Sequence, residues 1–508
     1  MVSAGLPLEA VAQRLRDARL LLGTQGPRDV IVTGVSQDSR QVSRGDLFLA
    51  WRGADFDAHD YVAPAVQAGA VAAVVERCIP DLAASQLQVS NGRLAGALAA
   101  DSVLGSPWTN LFLAGITGTN GKTTVALLVR HLLGMNGSAR AIGTLGLVEG
   151  SGRVRSGTEG LTTPGPVQLS EWLREMADEG VSHVVLEASS HALAQYRLDG
   201  VRFDAAVFTN LSQDHLDYHA DITDYRSAKV RILELLKPAG WAVVNQDEDG
   251  WRALPTPPDR TVFFGIEGGP GGLSARFSPG RRQLLASDLA LLPGGSRFRL
   301  SAGQDTAVVD LPLLGSFNVE NSLAAAGVAW AAGMSLAEIA RGLSSVPQIP
   351  GRLERIAHDP VSVVIDFAHT ADALERVLTT LRPLIPGRLL VLFGAGGDRD
   401  RGKRPRMGEV VSRLADLSFV TSDNPRTEDP GAIIDDVVAG MGQTPFHRIV
   451  DRREAIAAAL AEARPGDLLL LAGKGHETYQ VVGRERFSFD ERSIVRELLG
   501  TRGGEGGA

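Results

Sequence analysis

Residues 111–128 read LFLAGITGTNGKTTVALL, and the organisation of the whole chain can be worked out from this stretch. It predicts a buried strand, a glycine-rich turn and an apolar helix. A helix preceded by such a turn directs several backbone N–H groups at one point, which suits a polyphosphate. Lys122 adds a positive charge for the outer phosphates, and Thr123 adds a hydroxyl that can hold Mg²⁺. The stretch therefore predicts a nucleotide site.

The turn differs from the strict P-loop pattern. That pattern would place a glycine at Ile116, whereas the glycines here are Gly115, Gly118 and Gly121. A purely structural glycine turn is the alternative, but it does not account for a Gly-Lys-Thr-Thr run between a strand and a helix. We interpret the turn as a relative of the ordinary P-loop.

Composition narrows the class of protein. A chain of 508 residues is too long to fold around a single hydrophobic core, so its length predicts two to four domains. The formal net charge of −8 argues against nucleic acid or an anionic membrane as the main partner. The single cysteine, Cys78, excludes an internal disulfide and lies in an apolar run, as a structural thiol would. No leader and no bilayer-spanning stretch is apparent, so we expect a cytoplasmic protein without membrane insertion.

The pattern of strands and helices predicts an α/β protein with three domains. Their expected bounds are residues 1–107, 108–347 and 348–500, followed by a disordered tail over residues 501–508. In the first domain Asp38-Ser39-Arg40 stands out, although a turn explains it as well as a ligand does.

The central domain alternates strands and helices as a mostly parallel sheet does, and such sheets bind ligands at the carboxyl ends of their strands. Glu187 ends one predicted strand, and Asp214, His215, Asp217 and His219 follow another. Each alone could be a surface or capping residue, but together they favour a metal and phosphate site. Asn318 and Asn321 could reach a nucleotide base or cap a helix.

The third domain is a second, Rossmann-like α/β domain. Four of its predicted strands are followed directly by polar runs, which begin at Asp366, Gly394, Asp423 and Gly473. Polar residues at four successive strand ends indicate that one edge of this sheet faces a ligand.

Several motifs together carry a family resemblance. In chain order they read GTNGKTT, LEASSHAL, TNLSQDHLDYH, LGSFNVENSLAAA, IDFAHT, GAGGDRDRGKR, SDNPR and AGKGHE. This order is similar to that in the Mur ligases. With the N-terminal DSR and GDLFLA, the chain resembles in particular the Mur ligases that add the third residue of the peptidoglycan stem peptide. The resemblance covers residues 35–479.

The resemblance implies an N-terminal domain for a uridine nucleotide, a central ATPase domain and a mobile C-terminal domain for an amino acid. The implied reaction joins a diamino acid to UDP-N-acetylmuramoyl-L-alanyl-D-glutamate through an acyl phosphate, with ATP as co-substrate. The implied cofactors are Mg²⁺ and a carbamylated Lys229. Lysines and Mg²⁺ suit this chemistry because charge builds on phosphoryl and tetrahedral oxygens. We expect a monomer whose partners are these small molecules.

The resemblance also assigns residues. The assignments for ATP are Gly118, Thr119, Asn120, Gly121, Lys122, Thr123, Thr124 and Asn318, and those for the metal are Thr123, Glu187, His215 and the Lys229 carbamate. Those for the UDP-linked substrate are Ser39, Thr162, Thr163, Ser189, Gln195 and Arg197. Those for the amino acid are Arg399, Asp423, Asn424, Pro425, Arg426, Gly473 and Glu477. Lys122, Lys229 and His215 are the implied catalytic residues.

Two positions depart from the family pattern. Leu161 stands where an asparagine is expected before Thr162, and Gln37 and the loop at residues 53–56 match no fixed pattern. Their part in binding the uridine nucleotide is therefore open.

Arg426 bears on which amino acid is added. Meso-diaminopimelate carries a second carboxylate that L-lysine lacks, and a guanidinium binds a carboxylate through two parallel hydrogen bonds. Meso-diaminopimelate is thus the expected substrate. If Arg426 pairs instead with Glu428 or Asp429, L-lysine or L-ornithine would fit.

Three other functions compete with this interpretation. Folylpolyglutamate synthases resemble the central and C-terminal parts, but they lack the DSR-type N-terminal domain and the DNPR run. A sister Mur ligase that adds D-Ala-D-Ala fits DNPR and GKGHE less well. A P-loop switch or motor has no need of a second sheet lined with arginine and GKGHE.

Overall fold

The computed structural model describes residues 5–53, 56–158, 160–215, 218–256, 258–269, 282–357 and 361–503. The chain forms two compact units. The first comprises Met1–Ser287, Leu300–Ala307 and Glu320–Gly342, and the second comprises Asp288–Arg299, Val308–Val319 and Leu343–Ala508. No helix in the described ranges is both long and apolar enough to cross a membrane.

The N-terminal part of the first unit is built on a five-stranded sheet of order β2-β7-β6-β5-β4, in which only β2 runs antiparallel to its neighbour. Its strands, with the small β1–β3 pair, are β1 (Leu6–Pro7), β2 (Leu21–Gln25), β3 (Ile31–Val32), β4 (Gly34–Ser36), β5 (Asp46–Leu49), β6 (Ala72–Val75) and β7 (Ser85–Val89). Its helices are α1 (Leu8–Asp17), α2 (Val62–Ala68) and α3 (Gly92–Val103).

The central part follows a short 3₁₀ turn at Pro107–Asn110. Its strands are β8 (Phe112–Thr117), β9 (Ala139–Gly143), β10 (Gly146–Val148), β11 (Val154–Arg155), β12 (His183–Glu187), β13 (Phe203–Phe208), β14 (Leu236–Asn245), β15 (Thr261–Ile266), β16 (Arg282–Leu292), β17 (Gly295–Ala302) and β18 (Asp305–Leu311). Its helices are α4 (Lys122–Gly134), α5 (Pro166–Asp178), α6 (Ser190–Ala194), α7 (Ile222–Val230), α8 (Ser316–Ala331) and α9 (Leu336–Ser344).

Within the first unit the central sheet has the order β11-β10-β9-β12-β8-β13-β14-β15-β16. In this order, the strands β9, β12, β8, β13, β14, β15 and β16 run parallel to one another. The pairs β9–β10 and β10–β11 are antiparallel. The predicted strand at residues 111–117 is therefore β8, which lies between β12 and β13 in the sheet. Their carboxyl ends meet at one edge, as the sequence predicts.

The C-terminal part lies in the second unit, on a sheet of order β19-β20-β24-β21-β22-β23. Its strands, with the separate β25–β26 hairpin, are β19 (Glu354–Ala357), β20 (Ser362–Asp366), β21 (Leu389–Phe393), β22 (Leu417–Val420), β23 (Phe446–Arg448), β24 (Leu468–Ala472), β25 (Tyr479–Val482) and β26 (Glu485–Ser488). Its helices are α10 (Ala371–Leu381), α11 (Lys403–Leu414), α12 (Pro430–Val438), α13 (Arg452–Glu462) and α14 (Glu491–Gly503).

Strand β21 explains why this last sheet is covered on both faces. All five of its side chains are fully buried. Leu389, Val391 and Phe393 belong to one apolar cluster, whereas Leu390 and Leu392 belong to another. Successive side chains of a strand point to opposite faces, so a continuous apolar run requires a packed layer on each side.

The three-domain α/β class is confirmed by three large sheets, although the expected central domain is divided, with Asp288–Arg299 and Val308–Val319 in the second compact unit. The predicted disordered tail differs from the structure in part. Helix α14 continues to Gly503, and residues 504–508 lie outside the described residues.

Candidate active site

The glycine-rich turn connects β8 to α4 as predicted. Gly118 and Gly121 have φ values of +144° and +85°. Residues with a side chain rarely adopt such values, so glycine is required at both positions. Asn210, at the end of the neighbouring strand, fixes the turn: the Asn120 N–H donates to its side chain and the Thr119 N–H to its carbonyl, both at 2.8 Å. The start of α4 is thereby presented as an anion site.

Two lysines from distant parts of the chain converge on this turn. The Lys122 ammonium donates to the carbonyls of Gly118 and Thr119 at 3.0 and 2.8 Å. The Lys229 ammonium donates to the same Gly118 carbonyl at 2.8 Å. Lys229 is fully buried, and burial, followed by the charge of Lys122, lowers its pKa well below the usual value. A lowered pKa favours the neutral form of the amine, which is the nucleophilic form.

Glu187, at the end of β12, supplies the acidic side of the site. Its buried carboxylate accepts hydrogen bonds from the Thr123 hydroxyl at 3.1 Å and from the Thr144 N–H and hydroxyl at 3.0 and 3.1 Å. Thr144 was not foreseen from the sequence. A carboxylate beside a threonine hydroxyl at the start of α4 offers the hard oxygen donors that Mg²⁺ binds, so the donor chemistry fits this ion.

The predicted metal ligands include one hydrogen-bonded pair, Thr123 and Glu187. His215 packs its ring against His191, with ring centroids 4.9 Å apart, and lies beside Asp214. Among the described residues no group of three His, Cys, Asp or Glu side chains forms a ready-made metal site. Thr123 and Glu187 are brought together, while His215 and Lys229 as ligands stay predictions. Asp217 lies outside the described residues.

Five of the six residues assigned to the UDP-linked substrate form one hydrogen-bonded series. Thr163 donates to the Glu187 carbonyl at 2.7 Å and lies 3.1 Å from the Ser189 hydroxyl. Arg197 donates to the Thr163 carbonyl at 3.0 Å and to the Gln195 side chain at 2.6 Å. The remaining member, Thr162, joins through the Thr144 hydroxyl at 3.3 Å.

The other residues assigned to that substrate and to the nucleotide lie elsewhere. Ser39 lies in the turn after β4. The nearby Gln37 approaches Gly165 of the central part: its side-chain amide nitrogen would lie 3.1 Å from a Cβ atom added to that glycine. Asn318 belongs to the second unit and its amide donates to the Leu314 carbonyl at 2.8 Å, in agreement with a role at the start of α8. The Asn321 amide is the one that lies against Gly121.

The residues assigned to the amino acid surround a buried cation in the second unit. Lys474, fully buried, donates to the Asn424 side-chain oxygen at 3.1 Å and lies 3.3 and 3.7 Å from the carboxylates of Asp423 and Glu477. The Asn424 amide donates to Glu477 at 2.9 Å. Burial raises the pKa of Glu477. The sequence motif GKGHE contains Lys474 but does not indicate that this lysine is buried.

Arg426 does not form either of the alternative ion pairs. Its guanidinium donates to the Gly397 carbonyl at 2.6 Å. Glu428 is engaged by Arg404 at 2.7 Å, and Asp429 accepts from the N–H of Ala432 at the start of α12. The guanidinium is thus hydrogen-bonded to the loop after β21, and its charge acts on the Glu477 carboxyl.

The remaining assigned residues lie on the same strand ends or the loop beside them. Pro425 is buried between Asn424 and Arg426, and Gly473 adopts φ +112° directly after β24. Arg399 is exposed on the loop after β21.

Comparison with known proteins places this arrangement in a family. Three family models match: "Mur ligase family, catalytic domain" at residues 31–100, "Mur ligase middle domain" at residues 116–329 and "Mur ligase, glutamate ligase domain" at residues 351–475.

Relatives and a solved structure agree. The chain is 40% identical to the UDP-N-acetylmuramoyl-L-alanyl-D-glutamate--2,6-diaminopimelate ligase of Gloeobacter violaceus, over 97% of this chain and 100% of that one. It is 42% identical to the ligase of the same name from Geobacter metallireducens, over 91% and 93%. A solved structure of a ligase with that name superposes with a TM-score of 0.66 at 33% identity, covering 93% of this chain and 96% of the other. The chain belongs to the Mur ligase family.

Proposed function

We propose that this protein is an ATP-dependent ligase that joins meso-diaminopimelate to UDP-N-acetylmuramoyl-L-alanyl-D-glutamate in peptidoglycan biosynthesis. The observation that carries the proposal is the placement of Arg426 beside Asn424, Glu477 and Lys474 at the strand ends of the second unit. A diamino dicarboxylic acid needs a guanidinium for its distal carboxylate and acidic or amide oxygens for its distal amine. The ligase names of the relatives support the same reaction.

The proposed reaction has two steps. A substrate carboxylate attacks the γ-phosphorus of ATP, forming an acyl phosphate and releasing ADP. The amine of the diamino acid then attacks the acyl carbon, forming the amide and releasing phosphate and a proton. The N–H groups at the start of α4 and the Lys122 ammonium hold the phosphates and stabilise the negative charge on the transferring group. Glu187 and Thr123 would hold Mg²⁺, which would supply positive charge for the phosphate oxygens.

We also propose that Lys229 is carbamylated in the active enzyme. The neutral amine adds to CO₂, which forms an N–C bond and releases one proton to give a carbamate. Its burial and depressed pKa support this step, because a charged ammonium could not act as the nucleophile. The carbamate is an anion and would place a metal-binding oxygen next to the turn.

The carbamate has its own test. Mass spectrometry of the intact protein under CO₂ and ¹³C NMR with ¹³CO₂ should detect one modified lysine that Lys229→Ala lacks. Activity of Lys229→Ala should return in part with added short carboxylic acids. A ¹³C-carbamate signal of equal intensity in Lys229→Ala, or no signal in an active wild-type enzyme, contradicts the assignment.

The remaining properties follow from the substrates. One chain carries the nucleotide turn, the residues assigned to the UDP-linked substrate and the amino-acid residues, so we propose a monomer. Because the reaction consumes ATP and a nucleotide-linked precursor, we place it in the cytoplasm.

The decisive experiment measures phosphate release from ATP with UDP-N-acetylmuramoyl-L-alanyl-D-glutamate and a panel of amino acids. Meso-diaminopimelate should give the highest kcat/KM, above L-lysine and L-ornithine. Omission of either the dipeptide or the amino acid should abolish release. Better use of lysine or ornithine would overturn the amino-acid assignment, and turnover with D-Ala-D-Ala or a folate would overturn the function.

A further inference from the structure

The β25–β26 hairpin lies against residues 423–426, here called the recognition segment. Its two strands pair antiparallel, Tyr479 with Ser488 through Val482 with Glu485. It is outside the six-stranded sheet, and it contacts the chain directly after β22. Nothing in the proposed chemistry requires a hairpin at this place, so its contacts call for an explanation.

The hairpin holds the backbone of Arg426 on both sides. The Arg426 N–H donates to the Val481 carbonyl at 3.1 Å, and the Gly483 N–H donates to the Arg426 carbonyl at 2.7 Å. Arg426 also forms an isolated parallel bridge with Val482. Its φ is +51°, in the left-handed region that a non-glycine residue adopts only at a cost in free energy. These hydrogen bonds offset that cost.

Gln480 anchors the hairpin to the start of the recognition segment. Its side-chain amide donates to the Asp423 carbonyl at 2.7 Å and to the Ser422 hydroxyl at 3.2 Å. The next residue, Val481, donates its N–H to the Asn424 side-chain oxygen at 3.0 Å. The hairpin thus contacts three of the four residues of the segment, through backbone or side chain.

We infer that Gln480 is a positioning residue that sets amino-acid specificity, by fixing the hairpin to Asp423 so that Arg426 keeps its left-handed backbone and its aim. The inference rests on the proposed function. A guanidinium that must meet a carboxylate through two parallel hydrogen bonds tolerates little change of direction. Loss of the anchor allows the Arg426 backbone to relax, and the side chain then points elsewhere.

The first test compares Gln480→Met with the wild-type enzyme. Methionine keeps the size of the side chain but cannot donate either hydrogen bond. We expect the KM for meso-diaminopimelate to rise about tenfold, and the preference for it over L-lysine to fall by a similar factor. The KM values for ATP and for the UDP-linked dipeptide should stay unchanged. Glu485→Gln, an exposed change on the same hairpin, is the control and should behave as wild type.

The second test acts through the other end of the hairpin. Gly483 has φ +61° and open space where a side chain would be added, so Gly483→Ala strains only the turn that bonds Arg426. We expect the same selective rise in the KM for meso-diaminopimelate, about threefold. Gly303→Ala is the matched control, because Gly303 has φ +64° and equally open surroundings in the turn between β17 and β18.

The outcomes separate the possible explanations. If both variants raise the KM for all three substrates, or lower only the melting temperature, the hairpin merely stabilises the domain and the inference is wrong. If Gln480→Met does not fold, Gly483→Ala decides by the same criterion. A wild-type enzyme that releases no phosphate with meso-diaminopimelate defeats the proposed function, which is distinct from a normal wild type with unselective variants.

Discussion

The nucleotide turn and the amino-acid pocket manage buried positive charge in opposite ways. At the turn, Lys122 and Lys229 both donate to the carbonyl of Gly118, and burial together with the charge of Lys122 lowers the pKa of Lys229. In the pocket, Lys474 is enclosed by Asp423, Glu477 and Asn424, and the charges are compensated within the protein. A site for a polyphosphate gains from excess positive charge, whereas a site for a zwitterion must offer both signs.

The largest expected effect removes the positive charge of Lys122 at the turn. Lys122→Met should lower kcat roughly 10³–10⁵-fold, the range known for a cation that stabilises a transferring phosphoryl group. Lys237→Met is the matched control, since Lys237 pairs with Asp204 at 2.8 Å, beside the opposite end of β8. Phosphate release at saturating substrates measures both. Near-normal turnover in Lys122→Met would show that excess charge at the turn has no catalytic role.

The pocket should respond differently, by losing recognition rather than chemistry. Arg426→Met should cost roughly 2–5 kcal/mol of meso-diaminopimelate recognition, as when one partner of a charge pair is removed. Binding of the UDP-linked dipeptide should be unaffected, which isothermal titration can establish. Arg401→Met, which removes a guanidinium bound to Glu428 at 2.8 Å, serves as control. Equal losses for both substrates would contradict a dedicated carboxylate contact.

A third prediction concerns pH and the second unit. Burial, with Arg352 and Arg492 nearby, lowers the pKa of His476 from 6.5 to about 4. The unfolded chain then binds a proton between those values and the folded one does not, so stability is lost as pH falls from 6.5 to about 4. The loss should be on the order of 3 kcal/mol for this group. In His476→Phe, which keeps the ring packed against Phe367, denaturant unfolding should show a flatter pH profile. An unchanged profile would rule out this histidine as the cause.

Asp101, in the first unit, provides the opposite sign for comparison. Burial raises the pKa of this carboxyl to about 6, so Asp101→Asn should steepen the loss of stability on acidification between pH 6 and 4. His476→Phe and Asp101→Asn should therefore change the profile in opposite directions.

The smallest expected effect is at Thr144, which supports Glu187. Thr144→Val removes the hydroxyl that lies 3.1 Å from the Glu187 carboxylate and keeps the side-chain volume. We expect the Mg²⁺ concentration needed for half-maximal activity to rise about tenfold, as is typical when a metal ligand loses an outer hydrogen bond. Thr109→Val, whose hydroxyl bonds only to Ser106 among the described residues, is the control. A change in melting temperature without a change in Mg²⁺ dependence would assign Thr144 to structure alone.

The parts of the site that the sequence predicted are those fixed by local geometry. The strand, turn and helix at residues 112–134 follow from hydrophobicity and glycine positions, and the polar strand ends follow from the rule for parallel sheets. The α/β class, the family and the reaction class were predicted by the same motifs.

Contacts between distant segments could not be predicted in this way. Thr144 meets Glu187 across 43 residues, and Gln480 meets Asp423 across 57. Neither contact leaves a local pattern, because each depends on which strands become neighbours. Asn318 and Asn321 show the limit at close range: both fit the motif, and only the packing of α8 puts the Asn321 amide against Gly121.

The turn at Gly118 has a consequence for the life of the protein in the cell. The N–H groups at the start of α4 and the Lys122 ammonium converge there and favour a bound polyanion, so the nucleotide should act as a folding ligand as well as a co-substrate. By mass action, a hundredfold excess of nucleotide over its Kd adds about 2.7 kcal/mol of stability. Removal of nucleotide should therefore lower the melting temperature of the enzyme and raise its susceptibility to proteolysis.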